Sequence, residues 1–307
     1  MNYSQNENQA HSIDHLGESR EYWWNEDYLE LLSKRLSLKD CKNVADIGCG
    51  NGIMSLNIAN YLSEGASIKG LDFEKRHLKR ARQKVRKSEK SKGVDFEFME
   101  GDANHLPFSD EEMDLTFCQT LLIHVPEPLE VVKEMKRVTK KDSWVMALEP
   151  NNLVPNLMFD SMAQADFDVK DVMEVIEVRL RCEKGKQRLG EGYSSLGDVL
   201  PELFLKAGLS DIKVWISDKA LTIIPPYDTR EKRVRASQLV EWFETNSGGS
   251  GYDDNLRYFK AGGGKKRDFD SYWIKLDAYK AWALTQLKEE KFVSAGGNIM
   301  YIVAGKV

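Results

Sequence analysis

The sequence predicts an α/β fold: a doubly wound, mostly parallel sheet of seven strands, with helical insertions that form a lid. Two observations lead to this class. Strand-like and helix-like segments alternate from residue 43 to residue 149, and the first strand ends in glycines at alternate positions, Gly48, Gly50 and Gly52. Alternation of this kind gives parallel strands flanked by helices, with ligand sites at the carboxyl ends of the strands.

Seven short segments carry the strand pattern. They lie near residues 43–47, 67–72, 95–99, 113–118, 144–149, 212–217 and 299–303. The helix predicted over 129–139 places its valines and Met135 on one face, as expected for a helix that packs on a sheet. A helix predicted over 21–36 begins with the aromatic residues 22–24 and is expected to lie over the ligand site as a lid.

Extra helical material interrupts the alternation in two places. The segment 153–184 has one apolar stripe, formed by Val169, Val172, Met173, Ile176 and Leu180. A helix over 196–207 ends at Gly208, and a long amphipathic helix lies within 226–294. The two insertions are expected to meet above the sheet and to offer an apolar or aromatic lining. That lining would include Met158, Phe159, Met162, Phe167, Tyr193, Trp242, Phe243 and Tyr252.

These patterns predict the following organisation. An N-terminal helical lid at 1–40 precedes a ligand-binding core at 41–152, a helical insertion at 153–210, a core strand within 211–225, a second helical insertion at 226–294 and a closing core strand at 295–307.

Composition and charge limit the class of partner. The chain has 307 residues and a formal net charge of −5, which counts against a nucleic-acid substrate. The basic run at 75–92 has two interpretations, an RNA or phosphate patch and the solvated outer face of a helix. The second is favoured because Leu78, Ala81 and Val85 recur at helical spacing and would pack inward. A small-molecule substrate is therefore expected.

Three further features bear on location and metal content. No apolar run is long enough to cross a bilayer, and residues 1–20 lack the apolar centre of a signal peptide. The four cysteines have no metal-site spacing and suit a reducing compartment. We expect a cytoplasmic protein without a metal or a membrane segment, present as a monomer or a homodimer.

The residues around the glycines indicate the kind of ligand. Ile53 stands where a G-x-G-x-x-G dinucleotide fingerprint would have its last glycine. Asp46 lies two residues before the first glycine, where its carboxylate would repel a pyrophosphate. A ligand with an ammonium and a sulfonium group would instead be attracted. The motif therefore favours S-adenosylmethionine over NAD or ATP.

The pattern VADIGCGNG at 44–52 resembles the first motif of class I S-adenosylmethionine-dependent methyltransferases, especially the branch of small-molecule and quinone-biosynthesis enzymes. Three later landmarks follow in the expected order: SIKGLD at 67–72, VDFEFMEGDA at 94–103 and MDLTFCQTLLIHVPEP at 113–128. The resemblance covers residues 40–150 in detail and the last strand. It implies a Rossmann-like fold and a methyltransferase activity.

The resemblance also implies cofactor roles for residues around the first two strands. Gly48 and Gly50 would cradle the cofactor with their backbone, and Cys49 between them would be a small packing residue rather than a nucleophile. Asp46 would lie near the amino group, directly or through water. Asp72 would accept hydrogen bonds from the ribose hydroxyls.

Further cofactor contacts are implied outside the first motif. Asp102 would bind the adenine amine, and the Ala103 amide would meet the ring. Phe73 would stack near adenine, or would only pack. Gln119 would lie beside the methionine portion, and Arg20 would meet the cofactor carboxylate.

Two residues are candidates for acid–base chemistry. His124 follows the fourth strand, where the acceptor would approach, and imidazole titrates near neutral pH. Its alternative role is to shape the loop. Glu149 ends the fifth strand and would act as a base or bind a substrate amine, with a hydrogen bond to a loop amide as the alternative.

The leading hypothesis is methyl transfer to a small, partly apolar or aromatic acceptor. An RNA methyltransferase is one alternative, although the chain has neither an Asn-Pro-Pro-Tyr motif nor a Pro-Cys motif. A second alternative is a catalytically inactive S-adenosylmethionine-binding module. A nicotinamide dehydrogenase is disfavoured by Ile53 and Asp46.

Overall fold

The computed structural model describes residues 17–89, 93–153, 168–245, 251–297 and 299–307. Part of the predicted N-terminal lid lies outside these ranges. So do four residues of the predicted apolar lining. The four are Met158, Phe159, Met162 and Phe167.

Within the described residues, seven strands form one sheet in the order β3-β2-β1-β4-β5-β7-β6. The strands are β1 (Asn43–Ile47), β2 (Ala66–Asp72), β3 (Val94–Glu100), β4 (Met113–Gln119), β5 (Thr139–Asn151), β6 (Ser210–Ile216) and β7 (Ile299–Lys306). The first five strands pair in parallel, and β7 lies antiparallel between β5 and β6. The predicted fold class, a mostly parallel doubly wound sheet, is confirmed.

The predicted strands agree closely with the structure except at the start of β5. This strand begins at Thr139 instead of near residue 144, directly after the preceding helix. Its first residues are polar, so they carry no apolar pattern. The Thr139 hydroxyl is nevertheless buried, 2.6 Å from the Thr116 hydroxyl, and donates to the Met135 carbonyl over 2.7 Å.

The α-helices of the described residues flank the sheet or extend the insertions. They are α1 (Glu26–Arg35), α2 (Ile53–Ala59), α3 (Lys75–Lys87), α4 (Pro128–Val138), α5 (Val169–Arg188), α6 (Leu200–Lys206), α7 (Arg230–Thr245), α8 (Tyr252–Ala261) and α9 (Lys266–Lys288). None of these helices combines the length and the apolar character needed to traverse a lipid bilayer.

The described chain divides into two compact units. The core unit contains residues 24–152, 192–219 and 299–307, and therefore the whole sheet. The helical unit contains the described parts of 1–23, 153–191 and 220–298. The predicted insertion at 153–210 thus spans both units, since 192–210 with Tyr193 lie in the core unit. Helix α1, from the predicted lid, also lies in the core unit.

Each unit has its own apolar interior. In the core unit, α4 and α6 pack on the sheet, and a second cluster joins Cys49, Leu78, Ala81 and Phe98 beneath the turn after β1. In the helical unit, Val178 of α5 packs with aromatic residues of α8 and α9, including Phe259 and Phe269. The predicted stripe on α5 is largely outward-facing: Val169, Met173 and Leu180 are 74%, 57% and 42% exposed.

Helix α6 offers a direct test of the core packing. Phe204 is fully buried against the sheet, and the next residue, Leu205, is 65% exposed. We expect Phe204→Ala to lower the free energy of unfolding by about 3–5 kcal/mol, because it removes a large buried ring and leaves a cavity. Leu205→Ala, the control on the same helix, should change it by less than about 0.5 kcal/mol. Urea titration of both variants checks this, and equal effects would contradict the packing.

Candidate functional site

The turn after β1 is a tight loop bound to the end of β2. Gly48, Gly50 and Gly52 have positive φ values of 69°, 54° and 76°. The Gly48 and Cys49 amides both donate to the Leu71 carbonyl, over 2.7 and 2.9 Å. A Cβ on Gly48 would lie 2.8 Å from Leu121 Cδ1, so a side chain there is excluded by the neighbouring loop as well as by the backbone. The loop therefore presents backbone without side chains at the carboxyl ends of the central strands.

Asp72, the last residue of β2, connects three pieces of backbone. Its Oδ2 accepts from the Gly50 amide over 2.8 Å, and its Oδ1 accepts from the Glu74 amide over 2.9 Å. The Gly101 amide donates to the Asp72 carbonyl over 3.2 Å. The carboxylate thus holds the glycine loop and the start of α3 together, and its remaining lone pairs can accept from a ligand.

His77 completes the environment of this carboxylate. Its Nδ1 lies 3.1 Å from Asp72 Oδ1, and both residues are 8% exposed. The imidazole is placed by α3, whose inward face also carries Leu78 and Ala81.

Asp46 lies beneath the glycine loop and is 1% exposed. Its Oδ2 accepts from the Ser55 hydroxyl of α2 over 2.5 Å. Burial raises the pKa of this carboxyl from 3.8 to about 7; the charge of Asp72 also raises it, and the Ser55 bonds oppose the shift. The negative charge at Asp46 is therefore costly unless a cation lies nearby.

The thiols of the two cysteines at these strand ends are shielded from solvent. Cys49 and Cys118 are buried, and burial raises the pKa of each thiol well above its ordinary value. Neighbouring carboxylates, Asp46 for both and Glu149 for Cys118, raise it further. A thiol that keeps its proton is a poor nucleophile, which agrees with the predicted packing role.

The ends of β2 and β3 expose two further predicted residues. Phe73 follows Asp72 directly and is 66% exposed. Asp102 is exposed, and its Oδ1 accepts from the backbone and side-chain amides of Asn104 over 2.9 and 2.8 Å. Ala103 is half-buried against the core. An aromatic ring and an acid thus flank Asp72 on the open side of the strand ends.

Glu149 holds the loop after β4. It is fully buried, and its Oε1 accepts from the amides of Leu121 and Leu122, each over 2.8 Å. The same loop begins at half-buried Gln119 and passes through Thr120, whose φ of 50° is left-handed. These contacts match the loop-amide alternative for Glu149, and they explain how the loop keeps a strained turn.

His124 ends the short 3-10 helix that follows this loop and is half-buried. The segment from Gly192 packs directly against it. A Cβ on Gly192, which has a φ of 87°, would lie 2.4 Å from the Ile123 carbonyl oxygen. Asn152 Nδ2 donates to the Ser194 carbonyl over 2.7 Å, so the end of β5 fixes the same segment.

Arg20 lies in the helical unit, on a 3-10 helix at Glu18–Tyr22, and its guanidinium stacks over the Trp23 ring at 4.6 Å. The other predicted site residues all belong to the core unit, at or just after the ends of β1 to β5. Adjacent strand ends bring them together: β1 pairs with β2 and β4, β2 with β3, and β4 with β5.

The set of groups at this edge fits an adenosyl ligand with a cationic end. It combines an acid that can accept hydroxyl protons, an exposed aromatic ring, a bare backbone turn and a second buried acid. Sequence reasoning missed Ser55 and His77. Each is a polar residue at an inward helical position, and that placement was the available signal.

Comparisons with known proteins agree with this geometry. The chain is 31% identical over 195 residues to the demethylmenaquinone methyltransferase of Geobacillus kaustophilus (strain HTA426), covering 62% of this chain and 79% of the relative. It is 32% identical over 131 residues to the protein of that name from Lactobacillus johnsonii, covering 42% and 53%. The chain spans about half the length of this relative and of two further curated demethylmenaquinone methyltransferases.

A solved structure, a SAM-dependent methyltransferase from Aquifex aeolicus, is 21% identical, with 69% of this chain and 90% of that chain covered and a TM-score of 0.45. Residues 38–208 match a family described as a methyltransferase domain. This region contains β1 to β5 and every predicted site residue except Arg20. Because the match extends over more than half of the sequence, the chain belongs to the methyltransferase domain family, in its class I, Rossmann-like form.

Proposed function

We propose that this protein binds S-adenosylmethionine at the carboxyl ends of β1 to β4 and transfers its methyl group to a small, partly apolar or aromatic acceptor. The observation that carries the proposal is the Asp72 carboxylate, bonded to the Gly50 amide at the end of β2. This chain belongs to the methyltransferase domain family, and the carboxylate of Asp72 would accept the hydrogen bonds of the ribose hydroxyls.

The electrostatics of the site support a cationic ligand. Asp46 and Asp72 lie at neighbouring strand ends, and the charge of Asp72 adds to the cost that burial imposes on ionising Asp46. A sulfonium and an ammonium group would relieve this penalty, whereas a pyrophosphate would increase it. When bound, S-adenosylmethionine supplies a methyl group that is already activated for displacement. The protein then has to bind and orient the two reactants and exclude water.

The class of acceptor rests on the relatives and on chemistry. Two of the relatives are named as demethylmenaquinone methyltransferases, and a quinone-like ring is a small, flat and partly apolar acceptor. His124 ends the 3-10 helix that follows the loop after β4, and it would take the proton of a hydroxyl nucleophile that approaches from this side. Glu149 would act by holding the loop after β4, since the Leu121 and Leu122 amides that donate to Glu149 belong to this loop.

Loss of Asp72 should abolish cofactor binding. We expect the wild type to bind S-adenosylmethionine and S-adenosylhomocysteine with micromolar affinity in calorimetric titration. We expect Asp72→Ala to bind at least about 100-fold more weakly, because it removes charged hydrogen bonds to ribose and releases the Gly50 amide. Asp95→Ala on β3, an exposed acid, is the matched control and should bind as the wild type does.

No binding by the wild type would refute the methyltransferase proposal. Binding without turnover would favour the inactive module. Turnover is assayed by mass-spectrometric detection of S-adenosylhomocysteine, with phenols, quinols and amines as acceptors.

Substitutions of His124 and Glu149 should separate catalysis from loop structure. We expect His124→Gln to lower kcat by about 100-fold or more with an oxygen acceptor, while S-adenosylhomocysteine binding changes little. Glu149→Gln keeps an oxygen that can accept the two loop amides, and we expect a loss of less than about tenfold in kcat. Glu149→Ala leaves both amides without their acceptor and should destabilise the protein by about 2–5 kcal/mol. A kcat loss in Glu149→Gln as large as that in His124→Gln would instead assign the base to Glu149.

The buried acid Asp46 should give the stability a specific pH dependence. Its folded pKa of about 7 exceeds the unfolded value of 3.8, so the folded chain holds an extra proton between these values. Stability from this group is fully present below pH 4 and is lost as the pH rises to about 7. Relative to Asp46→Asn, the wild type should lose about 2–3 kcal/mol of unfolding free energy between pH 5 and pH 7.5. Urea titrations across this range check the difference; parallel curves for the two proteins would contradict it, and Asp95→Asn should match the wild type.

A further inference from the structure

The side chain of His77 contacts Asp72, although none of the cofactor contacts proposed above involves His77. His77 lies in the first turn of α3, and its Nδ1 is 3.1 Å from Asp72 Oδ1. Its Nε2 is buried and has no hydrogen-bond partner among the described residues. A histidine placed so that one ring nitrogen meets a buried carboxylate has a specific orientation, which packing alone would not require.

The proton of this contact can be assigned by elimination. An ionised carboxylate has only acceptor atoms, so a hydrogen bond to it requires that Nδ1 carry the proton. An imidazolium would also carry a proton on the buried Nε2, which has no acceptor among the described residues. The neutral ring leaves only a lone pair there, and this is less costly to bury than an unpaired N–H of a charged ring. The geometry therefore specifies the Nδ1–H tautomer, which is the less common form in water.

Three donors then fix the Asp72 carboxylate. The Gly50 amide binds Oδ2, while the Glu74 amide and the His77 ring bind Oδ1. The two backbone donors belong to the glycine loop and to the residue before α3. The imidazole is held by α3 and lies on the inward face that carries Leu78 and Ala81. As a third donor, it adds to the cost of rotating the carboxylate away from this orientation.

We propose that His77 is a positioning residue for the nucleoside part of the cofactor: its Nδ1–H holds Asp72 in the orientation that accepts the ribose hydroxyls. This inference rests on the proposed function. A carboxylate already fixed by the protein loses less rotational freedom when a ligand binds, so the affinity is higher than for a mobile acid. His77 touches no ligand atom in this scheme and acts only through Asp72.

The test compares a variant that loses the donor with one that keeps it. His77→Leu fills the site without an N–H, and His77→Asn places an amide N–H close to the Nδ1 position. By calorimetry with S-adenosylhomocysteine as the probe, we expect His77→Leu to bind about tenfold more weakly and His77→Asn to bind within about threefold of the wild type. Lys79→Leu, an exposed position on the same helix, is the matched control and should bind normally.

A double-mutant cycle shows whether His77 acts through Asp72. In the Asp72→Asn background, His77→Leu should cause little further loss, because the positioned carboxylate is already gone. A full and additive loss would overturn the inference, as would a His77→Leu variant that binds as tightly as the wild type. If His77→Leu does not fold, an affinity of His77→Asn far below that of the wild type would also overturn it.

A second measurement needs no ligand and separates this inference from the proposed function. NMR of ring nitrogens in ¹⁵N-histidine-labelled protein, with His77→Asn to assign the signal, should show a protonated Nδ1 and an unprotonated Nε2. The Nε2–H tautomer would overturn the inference. Absence of S-adenosylhomocysteine binding by the wild type, with the Nδ1–H tautomer present, would instead refute the proposed function.

Discussion

The hydrogen bond between the Asp72 carboxylate and the Gly50 amide is the constraint on which the rest of the site depends. It joins the end of β2 to the loop that follows β1, and the same carboxylate accepts from the amide of Glu74, the residue before α3. A tight glycine loop has few side chains with which to fix its own conformation. Its shape therefore has to come from outside, here from one acid on the neighbouring strand and from the Leu71 carbonyl, which accepts two of its amides. In the proposed function the Asp72 carboxylate would both shape the loop and bind the cofactor, so a change in one role would affect the other.

A second constraint is electrostatic. The strand ends bring Asp46, Asp72 and Glu149 to one edge of the sheet, and two of them are almost fully buried. The cost of burying the carboxyl group is offset in a different way at each residue. Glu149 is compensated by two backbone amides, and Asp72 by amides and an imidazole. Asp46 has the Ser55 hydroxyl and a raised pKa. A cationic ligand, as in the proposed function, would add the compensation that the protein leaves incomplete at Asp46.

Much of the fold could be predicted from the sequence, because local patterns determine it. The apolar strand segments and the alternate glycines placed β1 to β4 within about a residue. The prediction was wrong at the start of β5, because the first residues of this strand are polar and yet Thr139 is buried. The sequence did not indicate which way the apolar stripe of α5 faces; Val169 and Met173 of this stripe are exposed. The division into units also departed from chain order, since 192–210 joined the core unit. Such features depend on tertiary contacts, which a local window of sequence does not contain.

The position of the candidate site follows from the same local patterns, whereas the roles of its residues remain predictions. Asp72 and the glycines could be placed at the strand ends from their spacing in the sequence. Residues that act through another residue could not, because Ser55 and His77 become meaningful only once their partners are known. The same distinction separates the cofactor from the acceptor. In the proposed function, cofactor recognition would use backbone groups and acids fixed by the sheet, whereas methyl transfer needs little more than alignment and exclusion of water. The residues that select an acceptor are therefore under no common geometric rule, and they have to be identified by varying the acceptor while the cofactor site is kept intact.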